Sequence, residues 1–184
     1  MSDTKSAKVL IIATDGFEQS ELFEPRRALL DAGYDVTLAS IAMDAIQGME
    51  HDEKGDTIKP DMVLGDVQPG DYDALILPGG VANPDTLRLN ADAVKIVKAF
   101  FEADLPVASI CHGPWLLAEA DVLVGRKMTS WPSIRTDLRN AGAEVIDEEV
   151  VVDGNLITSR KPDDIPAFNR AIIDAIEAKT SASS

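Results

Sequence analysis

Lys8-Val9-Leu10-Ile11-Ile12-Ala13-Thr14 is an unbroken apolar run, the pattern of a strand buried on both faces. The polar loop Asp15-Gly16-Phe17-Glu18-Gln19-Ser20 follows it. From Glu21 to Ala32, Leu22, Phe23, Ala28, Leu29 and Leu30 recur at helical spacing, and Gly33 stands where a helix stops. Asp35-Val36-Thr37-Leu38-Ala39-Ser40 reads as a second strand. Strand, helix and strand in such close succession make a βαβ unit, which requires parallel strands joined by a right-handed crossover. That unit sets the fold class.

The rest of the chain extends the same alternation. Met43 to Asp71 is a polar connection holding short strand pieces such as Thr57-Ile58-Lys59 and Met62-Val63-Leu64. Ala74-Leu75-Ile76-Leu77 is a buried strand that breaks at Pro78-Gly79-Gly80. Ala91 to Ala103 reads as a helix capped by Asn90. Pro106 precedes the strand Val107-Ala108-Ser109-Ile110, which runs directly into Cys111-His112-Gly113-Pro114 and a helical pattern from Trp115 to Ala118. A short strand over 127–130, a helix over 133–141, a hairpin about Asp153-Gly154-Asn155 and a helix over 163–178 complete it. The expectation is one doubly wound α/β domain over residues 1–184, with 1–7 and 179–184 as flexible tails.

Bulk properties narrow the function. The chain carries 17 Lys and Arg against 32 Asp and Glu, a net charge of −15 without a basic cluster, which argues against nucleic acid and anionic membranes as partners. The 21 aspartates and 11 glutamates fit a solubilising surface; adaptation to a salty cytoplasm is the sharper alternative. No apolar stretch approaches the ~18 residues of a membrane span, and Met1 to Lys8 lacks the apolar core of a signal peptide. A single cysteine excludes an intramolecular disulfide framework and fits a reducing cytoplasm.

Three segments fall at the ends of predicted strands, where ligands bind in such sheets. The first is Cys111-His112-Gly113, a strand–turn–helix elbow with the sulfur at its apex. Unpaired amides and the positive helix end there favour thiolate. His112 is a base or orienter for the thiol, or else a packing group. The second is Pro78-Gly79-Gly80, either a tight turn or a place where bare amides meet a developing oxyanion, with the His112 N–H as a further donor. The third is Asp15 to Glu21. Glu21 lies just inside its helix, facing the sheet edge. To share a hydrogen bond with the Cys111 sulfur it must hold a proton, because adjacent negative charges repel. Glu18 is the weaker candidate. His51 lacks a second ligand at metal-binding spacing and reads as a surface residue.

These strings resemble the ThiJ/PfpI superfamily and, within it, the PfpI-like intracellular proteases, from Lys8 to Ala178. The matching pieces are Asp15-Gly16-Phe17-Glu18 with Glu21, Leu77-Pro78-Gly79-Gly80, Ala108-Ser109-Ile110-Cys111-His112-Gly113-Pro114 and Gly125-Arg126-Lys127-Met128-Thr129-Ser130. Glu148 to Asn155 and Thr158-Ser159-Arg160 also match. The resemblance implies a flavodoxin-like three-layer sandwich with a mostly parallel central sheet, of the class I glutamine amidotransferase-like type. It implies Cys111 as nucleophile, Glu21 as the acid beside it and His112 as the histidine of a protease triad. The triad's third member comes from a neighbouring subunit and falls on Asp85, one methylene shorter than the family's glutamate. Gly79, Gly80 and Gly113 belong to the oxyanion turn and pocket, and Trp131 replaces a pocket aromatic. A homo-oligomer, dimer or hexamer, is implied; no cofactor or metal is. Family activities include peptidases, deglycases, glyoxalases, isonitrile hydratases and stress proteins. A glutamine amidotransferase needs a later histidine, and none follows His112. Hydratases of the family carry aspartate at the Glu21 position. The short Asp85 tilts the expectation to a deglycase or glyoxalase working on small carbonyl compounds in stress protection. A peptidase, or a non-enzymatic redox sensor using the same thiol, stands as the alternative.

Overall fold

The computed structural model describes residues 6–182. The expected βαβ unit forms from β1 (Lys8–Ile12), α1 (Gln19–Asp31) and β3 (Asp35–Ser40), with the two-residue strand β2 (Phe17–Glu18) inserted before the helix. Then come the hairpin strands β4 (Ile46–Glu50) and β5 (Glu53–Ile58), the short β6 (Met62–Val63) and β7 (Ala74–Leu77). Helices α2 (Ala82–Leu87) and α3 (Ala91–Glu102) lead to β8 (Val107–Ile110) and α4 (Pro114–Glu119). Next are β9 (Lys127–Met128), α5 (Arg135–Asn140), β10 (Glu144–Val145), β11 (Val151–Asp153), β12 (Leu156–Ser159) and α6 (Ile165–Ala182).

The central sheet has the order β11-β12-β8-β7-β1-β3-β6. All its pairings are parallel except β11 with β12. The residues of β1 alternate their burial between two layers. Leu10 and Ile12 pack with Val97 and Phe100 of α3 and Leu116 and Leu117 of α4. Val9 and Ile11 pack with Leu22 and Leu29 of α1 and Phe168 and Ile172 of α6. This is the flavodoxin-like three-layer sandwich. From β1 the chain winds one way through β3, and from β7 it winds the other way through β8 and β12. The crevice between the carboxyl ends of β1 and β7 is therefore the topological switch point, the place where ligands enter open α/β sheets.

Four details differ from the sequence reading. The 43–71 connection holds the expected short strands, but more of it is strand than expected: β4 and β5 form a hairpin whose first strand pairs with β2, which anchors it over the end of β1. Helix α2 went unread because its six residues include Asn83-Pro84-Asp85, a turn-like string. The 133–141 segment splits into a 3₁₀ turn at Pro132–Ile134 and the shorter α5. Residues 179–182, expected in a loose tail, continue α6, and Ala7 is buried with its carbonyl accepting from the Asp35 amide. The remainder of both predicted tails, 1–5 and 183–184, lies outside the described residues. Among those described, no helix is long and apolar enough to cross a membrane.

Candidate active site

β8 ends at Ile110, and Cys111 adopts φ 64°, a left-handed conformation rare for a residue with a side chain. Such strain persists only where surroundings hold it. Here the Cys111 amide donates to the Ser159 carbonyl at 3.1 Å, and its carbonyl accepts from the Trp131 amide at 3.0 Å. The elbow turns the sulfur to the floor of a cavity of about 640 Å³, lined also by Glu18, Glu21, Met49, Gly80 and Trp131.

Two side chains meet the sulfur. His112 Nδ1 lies 3.2 Å from Cys111 Sγ, so these chain neighbours converge. Glu21 rises from α1, is fully buried, and accepts the Gly79 N–H on Oε1 at 2.9 Å. Its Oε2 has no protein partner apart from the electrostatic contact with the thiol. Burial raises the Glu21 pKa well above the ordinary 4.5, the Gly79 N–H and Cys111 oppose this, and the Glu18 charge adds to it. The Cys111 thiol is also pushed up, first by burial and then by the charge of Glu21. The N–H groups of Gly80 and His112 pull it down. The amides expected to ionise the sulfur are thus present but outweighed. A helix terminus gives an anion at most about 2 kcal/mol, whereas taking a charge out of water costs several. The pair does not carry two negative charges, and burial favours the protonated form of both thiol and carboxyl.

Gly79 is enforced by contact: a Cβ there would lie 2.5 Å from Glu21 Oε1 and 2.7 Å from the Cys111 Cβ. Its N–H is committed to Glu21, which leaves the amides of Gly80 and His112 to face the Cys111 sulfur. Gly113 differs from expectation. It is buried beneath the elbow, its N–H goes to Ile110, and it does not line the cavity. Asp85 is exposed on α2 and outside the cavity lining, so within one chain it does not orient His112. Glu18 lines the cavity, and its carboxylate accepts the His51 N–H at 3.2 Å. Trp131 lines it as expected and stacks on His112, with centroids 5.9 Å apart at 26°.

Three residues escaped the sequence reading. Asn83 is buried; its Nδ2 donates to the carbonyls of Pro78 and Gly79 while its Oδ1 accepts the Thr14 N–H, locking the glycine turn to the end of β1. His51, taken as a surface residue, lies at the β4–β5 turn with φ 59° and lines the cavity mouth with Asp52. Trp115, read as one more apolar helix position, packs edge-on to His112. The hairpin's docking places His51 here, α4 places Trp115 and α2 places Asn83. Among the described residues no three His, Cys, Asp or Glu side chains converge as a metal site requires.

The sequence matches that of the DJ-1/PfpI family over residues 7–175. It is 49% identical over 166 residues to Deglycase TK1284 of Thermococcus kodakarensis, covering 90% of this chain and 97% of that one. It is 43% identical over 173 residues to the protein named "Putative cysteine protease YraA" of Bacillus subtilis, covering 94% and 99%. The fold superposes on a two-domain protein of Anabaena variabilis containing DJ-1/ThiJ/PfpI-like and ferritin-like domains, with a TM-score of 0.88 and 35% identity. That match covers 92% of this chain and 48% of the two-domain protein.

Proposed function

The chain belongs to the DJ-1/PfpI family, and from that premise we propose that it is a cofactor-independent cysteine enzyme acting on small reactive carbonyl compounds, a deglycase or glyoxalase in stress protection. One observation carries the reading: a thiol 3.2 Å from an imidazole nitrogen and beside a buried, protonatable carboxyl, on the floor of a cavity sized for a small molecule. Burial lowers the His112 pKa below 6.5, so its imidazole is neutral at pH 7 and able to accept the thiol proton. Sulfur then adds to the aldehyde carbon of a 2-oxoaldehyde, or to the carbinol carbon of its amine adduct with loss of the amine. The amides of Gly80 and His112 hold the oxygen, and Glu21 supplies its proton. Transfer of the aldehyde hydrogen to the neighbouring carbonyl carbon oxidises one carbon and reduces the next. The resulting thioester is hydrolysed by water to a 2-hydroxy acid and free thiol, with no outside oxidant.

The lining contains Glu18, Glu21, His51 and Asp52 but neither lysine nor arginine, which favours neutral or cationic compounds over anionic ones. A peptidase is the second reading. The Cys111–His112 contact and the name of the Bacillus relative support it; it needs an acid such as Asp85 from a neighbouring subunit of a homo-oligomer. The non-enzymatic redox-sensor reading rests on the same thiol and is less favoured, since Cys111 is only 6% exposed. Purified protein incubated with methylglyoxal is expected to form lactate, and Cys111→Ser to abolish this. Cleavage of fluorogenic peptides that depends on Cys111, without aldehyde consumption, would reverse the assignment.

A further inference from the structure

A catalytic base adjoining a nucleophile is ordinarily oriented by a third group, most often an acid. Among the described residues no carboxylate is hydrogen-bonded or ion-paired to His112. Two tryptophans grip the ring instead, and they are the only two in the chain. Trp131 lies against one side, 5.9 Å between centroids and inclined at 26°. Trp115 meets the ring edge-on, 5.2 Å away at 70°.

Trp115 is itself fixed. Its Nε1 donates to Asp137 Oδ2 on α5 at 3.0 Å. The Arg88 guanidinium lies 5.7 Å from its ring centroid and is held by Glu119 at 3.1 Å. Trp131 is tied at its backbone, where its N–H donates to the Cys111 carbonyl. Trp131 is thereby anchored to the elbow itself, and Trp115 to α5 and to the residue that follows α2. We propose that Trp115, fixed by Asp137, is a positioning residue: with Trp131 it clamps the His112 ring so that Nδ1 points at the Cys111 sulfur, in place of an orienting acid.

This rests on the cysteine-enzyme reading but not on the identity of the substrate. The clamp makes two contributions. It removes the ring's rotational freedom, which otherwise dilutes the productive geometry. It also excludes water, and burial is the cause that lowers the His112 pKa. The charged and titratable groups around this ring are the Cys111 thiol, the cavity's Glu18, Glu21, His51 and Asp52, and, across Trp115, Arg88 and Asp137. Opening the clamp lets water reach the imidazole, so its pKa climbs toward 6.5 and a higher pH is needed to keep it neutral.

The test is the pH dependence of Cys111 alkylation by iodoacetamide, a probe that needs no natural substrate, with methylglyoxal turnover measured alongside. Trp115→Ala is expected to slow alkylation about tenfold near neutrality, a fraction of what a general base contributes, and to move the acid limb of the profile to higher pH. Trp115→Phe keeps the edge contact but loses the Asp137 bond, and Asp137→Ala loses that bond alone; each is expected to slow the reaction two- to threefold (~2–3-fold) with a smaller displacement of the limb. These milder variants carry the test if Trp115→Ala does not fold. Indole emission gives an independent reading, because an imidazolium quenches an indole in contact with it. The intact protein, with His51→Gln as background, is expected to show a fluorescence inflection that disappears in His112→Gln. Alkylation profiles that keep their acid limb in all three clamp variants, or an inflection that survives His112→Gln, would overturn the proposal. Absence of methylglyoxal turnover in the parent, with the alkylation results intact, would instead overturn the carbonyl assignment and leave the clamp standing.

Discussion

Glu21 and Asp164 are both buried carboxyls beyond the carboxyl end of a sheet strand, the first after β1 and the second after β12. Asp164 is saturated. It accepts the Arg160 backbone N–H at 2.9 Å and two guanidinium N–H groups at 2.9 and 3.0 Å, closing the turn into α6. Glu21 receives one amide and keeps Oε2 unpartnered beside a thiol. Protein interiors satisfy buried polar atoms almost everywhere, and a bare buried oxygen costs about 1–3 kcal/mol. A fold that completes one such carboxyl and leaves the other incomplete is what the proposed division between a structural Asp164 and a proton-supplying Glu21 requires. The contrast also explains why Glu21 keeps a proton: Asp164 faces a guanidinium, whereas among the described residues no cationic group accompanies Glu21.

The largest effect is expected at the saturated carboxyl. Asp164→Ala leaves the Arg160 guanidinium and amide without their partner in a partly buried turn, costing about 3 kcal/mol. That corresponds to a fall in Tm of about 6–12 °C, readable by calorimetry. The folded fraction is expected to keep most of its activity. A Tm within 2 °C of the parent (~2 °C) would show that the pair is not structural.

Glu21→Gln reverses the pattern. Turnover is expected to fall about 100-fold at pH 7, in the range of a lost proton donor, while stability is retained. The sign of its pH dependence follows from the raised folded-state pKa. Between the unfolded carboxyl value, near 4.5, and the higher folded value, the unfolded chain gives up its proton while the native protein keeps it. The stabilisation from neutral Glu21 is complete below 4.5 and is lost as pH rises through the folded pKa. Glu21→Gln does not ionise, so its Tm is expected to gain on the parent as pH rises above 4.5, until the folded pKa is passed. Parallel Tm curves would mean that Glu21 ionises in the native protein as freely as in the unfolded chain.

The smallest effect belongs to Asp147, which binds both Arg135 and Arg160 at 2.9 and 3.0 Å but is exposed. Its pKa is lowered by the hydrogen bond from Arg160 first and by the Arg135 charge next. Any stabilisation is therefore present above the unfolded value, near 3.8, and lost as pH falls through the lower folded one. Water and salt screen exposed pairs, and Asp147→Ala is expected to leave Tm and turnover indistinguishable from the parent. A clear drop in either would mean that the Asp147 bridge braces the Pro162 side of the cavity.

Much of this site is legible along the chain because its main signals are local. Val107 to Ile110 followed at once by Cys111-His112-Gly113 declares an elbow, and the position of Glu21 just inside an amphipathic helix turns it to the sheet edge. The roles of Trp115, Asn83 and His51 are not local. A tryptophan on an apolar helix face has the same pattern whether it fills a core or clamps a base, and His51 reaches the cavity only because β4 pairs with β2. The thiol's environment is not local either: helix dipoles can be inferred from sequence order, while the burial that pushes the thiol up depends on how many distant residues close over the group.

The linear order of residues determined the layered α/β architecture, the strand ends at which the cavity lies and the elbow that carries the candidate nucleophile, since period, punctuation and motif are properties of neighbours in the chain. Tertiary structure alone decided which carboxyl goes unsatisfied, which ring orients the base and where the proton resides. Those depend on solvent exclusion and on contacts between residues far apart in sequence.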